Sequence, residues 1–143
     1  DRFSAGLDFF KRPVQRVHGL LAAFDARHQI RRRVEEGRVQ MVGSSGTVTT
    51  LAGVLRGLKR YQRSLIDGCT MQVAEAFAVS ERIRQLDFAG RAAIPCIGQE
   101  RADLVVAGCA ILRAIHLAWP VTAFRIGDRG LREGILSELA AKV

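Results

Sequence analysis

Aromatic side chains are scarce in this chain: 6% of 143 residues, with a single Trp and a single Tyr. Proteins that hold single-stranded nucleic acid interleave aromatic rings with basic residues so that bases can stack. No such interleaving occurs here, and nucleic acid is not the expected partner. Cysteine is equally sparse. Cys69, Cys96 and Cys109 are irregularly spaced and form no CxxC, and the three histidines form no HxxxH or HExxH. Neither a disulfide framework nor a zinc site is expected, and the cysteines read as reduced, buried small hydrophobes of a cytoplasmic protein. No apolar run approaches the ~20 residues of a membrane span. The opening DRFSAGLDFFKRP has no initiator Met and no signal-peptide pattern, so the expectation is a segment excised from a longer protein, a single partial domain over 1–143.

What is present is globular in composition, 48% hydrophobic and 25% charged, and strongly basic in one half. Residues 1–63 hold 13 Lys/Arg against 5 Asp/Glu, while residues 64–143 hold nine of each. The net charge of +8 therefore belongs to the first 63 residues. A field of that sign concentrates polyanions. The run Arg31-Arg32-Arg33 reads equally as part of a polyanion track and as a solvated helix face.

Hydrophobic spacing predicts a helix from Pro13, suited to a first turn, through Val14, Val17, Leu21 and Phe24 to about Arg33. RVQMVG (38–43) reads as a short buried strand. Val48, Leu51, Leu55 and Leu58 mark a second helix, and 59–68 a polar connection. Thr70 is the expected N-cap of a helix to about Leu86. Residues 90–98 read as irregular or a short helical turn. ERADLVVAGCAILRAIHLAW (100–119) is expected to be a buried helix, with Gly108 where another element comes close. VTAFRI (121–126) is the second strand, followed by a helix capped by Asp128 and carrying Leu131, Ile135 and Leu139. The order is α/β. Two strands are too few for a covered parallel sheet, so partner strands must come from sequence outside the chain, from a second chain, or from segments read as loops.

The densest stretch is MVGSSGTVTTLAG (41–53), where a strand hands over to a helix. Gly43 and Gly46 can take positive φ and bring backbone close to a ligand. The first helix amides lack partners within the helix and the dipole favours an anion there. Ser44, Ser45 and Thr47 add hydroxyl donors. This is the physics of a phosphate cradle, although it is neither a Walker A turn, which needs a following Lys, nor a nucleophile elbow, since Thr47 stands where that turn needs glycine. The alternative is simple tight packing. Two other segments stand out. IGDRGLREGIL (126–136) sets Arg129 and Arg132 against the helix dipole unless carboxylates hold them, and its three glycines suggest close packing or a hinge. IPCIGQERAD (94–103) places Arg101 at the mouth of the long helix, as an ordinary ion pair or as an arginine aimed at a phosphate.

MVGSSGTVTTLA, the Pro…ERADLVVAGCAIL block and DRGLREGIL, in this order, resemble the exopolyphosphatase / guanosine pentaphosphate phosphohydrolase (Ppx/GppA) family, over about residues 5–140. The resemblance implies a ribonuclease-H-like domain of the actin-like ATPase superfamily, and the chain looks like the later part of the second such domain, without the N-terminal one. It implies a parent hydrolase that is Mg²⁺-dependent, with polyphosphate or guanosine pentaphosphate as substrate. Gly43, Ser44, Ser45, Gly46 and Thr47 would be phosphate contacts and Arg101 a charged one. Arg132 and Glu133 would be structural. The family's two glycine-serine phosphate loops and its water-positioning glutamate have no counterpart here, and Cys96 stands where glycine is usual. The expectation is that this chain alone has no catalytic residue, binds no metal itself and does not turn over substrate. An unpaired sheet edge makes a homodimer a further expectation.

Overall fold

The computed structural model describes residues 2–142, with side chains from 10 to 142. The elements are α1 (Arg2–His28), α2 (Ile30–Glu35), β1 (Val42–Gly43), α3 (Gly46–Leu55), α4 (Arg63–Ile66), β2 (Thr70–Gln72), α5 (Val73–Gln85), α6 (Phe88–Ala92), α7 (Gly98–Arg101), α8 (Leu104–Ala118), β3 (Ala123–Ile126) and α9 (Leu131–Ala140).

The sheet has three strands in the order β1-β3-β2. β1 runs parallel to β3, pairing Val42 with Arg125 and Gly43 with Ile126. β2 runs antiparallel to β3, pairing Met71 with Phe124. The third strand comes from a segment read as a helix cap. Thr70 does not cap α5; it pairs with Arg125 in β2, and Gln72 is the N-cap, its amide donating to Glu75 Oε2 at 3.1 Å. Strand 38–43 shrinks to Val42–Gly43, although Arg125 N still donates to Met41 O at 2.9 Å. Val42 is 58% exposed rather than buried, because β1 is the sheet edge and nothing among the described residues pairs with its outer side.

The core forms between the sheet and α3, α5 and α8: Leu51, Ile66, Met71, Val79, Ile83, Cys109 and Ile126 are nearly inaccessible. α8 is the expected helix, shortened to Leu104–Ala118. Its Val105, Cys109 and Leu112 enter the core, while Ala110 and Ala114 receive Val14 of α1. Small residues on α8 let α1 lie close along it. Burying such side chains removes roughly 25 cal/mol per Å² of apolar surface from water, the main favourable term of the fold.

The single helix 13–33 is two. α1 starts earlier and contains Pro13 in its interior, where the ring removes one hydrogen bond, and Val14 and Val17 hold the following turn against α8. The break falls at Gln29, whose φ of 52° is left-handed. The carboxylate of Asp25 accepts from Arg31 N and Trp119 Nε1, both at 2.8 Å, and so fastens the start of α2 to the end of α8. Much of the basic run is neutralised: Arg31 pairs with Glu35 and Arg32 with Glu36.

Asp128 does not cap α9. Gly130 is the N-cap, and Glu133 Oε2 accepts from its amide at 2.8 Å. Asp128 faces residues 61–63 instead: Tyr61 Oη donates to its carboxylate at 2.5 Å, and Arg63 bonds both its carbonyl and its carboxylate. Arg129 and Arg132 are held by Asp67 and Glu133, as cations near a helix start require. No helix among the described residues is long and apolar enough to cross a membrane.

Candidate phosphate-binding site

The turn after β1 is open. Ser44, Ser45 and Gly46 are exposed. Ser45 is the N-cap of α3 in extended geometry (φ −85°, ψ 158°), and its side chain makes no capping bond. The amides of the first turn therefore keep their donors for another partner. Neither Gly43 nor Gly46 uses a positive φ, contrary to expectation. What they supply is space: a Cβ on Gly43 would stand 3.0 Å from Val48 Cγ2, and one on Gly46 would be 3.9 Å from Arg101 Nη1.

Arg101 ends α7, and its Nη1 donates to Thr50 Oγ1 at 3.1 Å. Thr50 is 1% exposed and one turn into α3, so the bond ties the guanidinium to the start of that helix. Gly46, Thr47, Thr50 and Arg101 line a cleft of about 250 Å³, with Leu104 and Val105 as its apolar wall. Among the described residues no carboxylate lines it. Helix dipole and guanidinium act in the same direction, towards an anion.

Gly43, Ser44 and Ser45 open on a neighbouring, mostly apolar hollow of about 480 Å³, walled by Ile111, Ile115 and Trp119. Thr47 lines both spaces. Of the six residues expected to contact phosphate, Gly46, Thr47 and Arg101 share one cleft, while Gly43, Ser44 and Ser45 line the neighbouring hollow instead. Thr50 was missed. A threonine inside a helix carries no sequence signal of a site, and its partner lies 51 positions away. Gly108 approaches another element as expected, and the neighbour is this turn: a Cβ on Gly108 would stand 2.0 Å from Thr47 Oγ1.

Among the described residues no titratable group other than Arg101 lines the cleft. Burial raises the thiol pKa of Cys96 and Cys109. Cys96 Sγ packs against Gly53 and contacts Leu58 O at 3.3 Å. Burial and the charge of Arg113 lower the pKa of His116, whose Nδ1 is buried without a hydrogen-bond partner; it lines neither hollow.

The sequence pattern of the Ppx/GppA phosphatase family matches residues 5–143. A curated Haemophilus influenzae protein, provisionally named an exopolyphosphatase, is 30% identical over 103 residues, 72% of this chain and 30% of its own length. Among solved structures, an exopolyphosphatase from Cytophaga hutchinsonii superposes with a TM-score of 0.76 at 19% identity, covering 95% of this chain and 43% of that one. The Aquifex aeolicus member of the Ppx/GppA family gives 0.70 at 20% identity, covering 90% and 40%. The chain thus spans well under half the length of each of these proteins, and at such identities the solved structures speak for the fold, the actin-like α/β architecture. With the family pattern matched across nearly its whole length, the chain belongs to the Ppx/GppA phosphatase family.

Proposed function

We propose that this chain is the phosphate-binding part of a phosphohydrolase that releases terminal phosphate from inorganic polyphosphate or guanosine pentaphosphate, and that by itself it binds without turning over. One observation carries the reading: Arg101, fixed by Thr50, stands at the uncapped first turn of α3 opposite Gly46. A terminal phosphate in that cleft would take the amides of the first turn, the Thr47 hydroxyl and the guanidinium edge. These groups orient and stabilise charge. The described residues that line the cleft, Gly46, Thr47, Thr50, Arg101, Leu104 and Val105, offer anion-binding donors and no general base, which supports a role in binding. The glutamate that activates water belongs, on the family resemblance, to other parts of the parent.

The residues at the cleft do not fit Mg²⁺ as direct ligands. That ion takes carboxylate and water oxygens in near-octahedral geometry, and the cleft presents amides, hydroxyls and a cation. Among the described residues no group of three or more His, Cys, Asp or Glu could hold a metal. What this chain contributes is the anion side of the site.

The test is Arg101→Ala and Ser45→Ala in the full-length parent. Loss of a charge-assisted contact to phosphate should lower kcat/KM by about 10- to 150-fold for Arg101→Ala, with a smaller effect for Ser45→Ala. Unchanged turnover in both would leave a purely structural domain.

A further inference from the structure

A second concave, cationic place lies where α1, α5 and α8 meet. It is a hollow of about 310 Å³ that shares no lining residue with either space at the α3 turn. Lys11, Arg84 and Arg113 line it, together with Phe77, Ser80 and Glu81. Among the described lining residues three cations stand against one carboxylate, a net charge of +2. That volume is at the lower end of small-molecule pockets, roughly 300–1,000 Å³.

The two guanidinium groups are held in place before any ligand arrives. Arg113 lies over the face of Phe77, 4.4 Å from the ring centroid. It has no carboxylate partner among the described residues, so its N–H edge is available. Arg84 is clamped by Glu81 through Nε at 2.9 Å and Nη2 at 2.6 Å, and it stands 6.0 Å from the ring centroid of Phe10. Its side chain is only 18% exposed, and among the described residues the clamp engages Nε and Nη2 and not Nη1. Lys11 is exposed at the rim, and Ser80, 6% exposed, sets a hydroxyl in the wall. A flat guanidinium with fixed orientation matches oxyanion geometry, and a flexible ammonium adds a point charge. The arginine faces already carry the rings, so the open valences suit oxygen atoms rather than a nucleobase.

We propose that this hollow is a second phosphate site, which takes a short stretch of a linear phosphate chain through the edges of Arg113 and Arg84 and the ammonium of Lys11. It is independent of the α3 cleft and would hold a phosphate chain at a distance from the terminal group bound there.

The test titrates the 143-residue chain with tripolyphosphate and follows backbone amides by NMR, with sodium sulfate at matched ionic strength as reference. Saturable shifts are expected at residues 77–84 and 110–114, in the wild type and in Arg101→Ala alike. Lys11→Gln/Arg113→Gln should weaken that response about tenfold or more, and Arg113→Lys should bind more weakly than the wild type because the planar fork is lost. Both residues are on the surface, so these variants keep the fold, which the unperturbed amide spectrum verifies. Guanosine triphosphate in a parallel titration separates sources: shifts at these residues equal to those from tripolyphosphate assign the site to any triphosphate chain, and weaker ones to the inorganic chain. Shifts confined to 43–50, an unchanged response in the double variant, or sulfate binding as tightly as tripolyphosphate would overturn the proposal.

Discussion

Replacing Gly108 by Ala tests the coupling between α8 and the turn that opens α3. The new Cβ would meet Thr47 Oγ1 at 2.0 Å, Cγ2 at 2.9 Å and Cβ at 3.0 Å. Contacts this short force either Thr47 out of its rotamer or the first turn of α3 away from α8. Threonine is stiff at χ1, and its Cβ is itself too close, so rotation alone does not relieve the overlap. Overpacking of this kind costs about 1–3 kcal/mol. Against it stands the gain of replacing glycine inside a helix, about 1 kcal/mol. Contacts as short as 2.0 Å put the cost at the upper end of that range, and the net expectation is a loss of up to about 2 kcal/mol in urea unfolding, with the slope unchanged. Thr47→Ala in the same chain removes the two worst contacts, so the double variant should be more stable than Gly108→Ala alone, with a coupling of about 0.5–3 kcal/mol. Because Thr47 lines both spaces at the turn, Gly108→Ala should also weaken phosphate binding there. A Gly108→Ala chain more stable than the wild type by the full helix-propensity gain would refute the close approach.

Other consequences are open to direct measurement. Glu133 is held down to about 2 by the Gly130 amide and by Arg63 and Arg132, and Asp67 is lowered by the Asp128 amide and by Arg129. Their folded pKa values lie below the unfolded ones, so the stability they lend is complete above about pH 4.5. It is lost as pH falls towards 2, and amide exchange in 128–134 should rise across that window before exchange in α5. Neutral Gln at position 133 should remove most of that pH dependence. Gly134 has open space where a Cβ would stand, so of close packing and a hinge the first does not account for it, and Gly134→Ala should stabilise α9 by about 0.5–1 kcal/mol, read as slower amide exchange over 131–140. No change there would mean that α9 frays for a reason other than its glycine.

The legible parts of this fold were those with their own periodicity or a local chemical reason. α8 was read from an apolar run with a glycine at the close approach, and β3 from the short segment VTAFRI that follows it. The turn 43–47 was recognisable as a strand-to-helix turn because glycines and hydroxyl residues cluster there, a pattern that either tight packing or an accessible backbone produces. Thr70–Gln72 was not legible: three residues have no period, and they form a strand because β3 offers them a free edge of donors and acceptors. The break at Gln29 was equally silent, since no glycine or proline marks it; the Asp25 carboxylate, bonded to Arg31 N and Trp119 Nε1, anchors the chain on either side of the break.

The division between the two kinds of information follows from distance along the chain. Local sequence determined that a small-residue turn would open α3 with free amides, that α8 would be apolar on most faces, and that positive charge would gather before residue 64. These depend on side-chain size, periodicity and charge, which neighbours in sequence suffice to set. Tertiary structure alone decided that Arg101 meets Thr50, that Thr47 fills the gap at Gly108, and that Lys11, Arg84 and Arg113 surround one hollow. Those contacts join residues from 29 (Arg84 and Arg113) to 102 (Lys11 and Arg113) positions apart. Packing of α1, α3 and α5 around α8 brings them together, and no pattern within any one segment encodes the meeting.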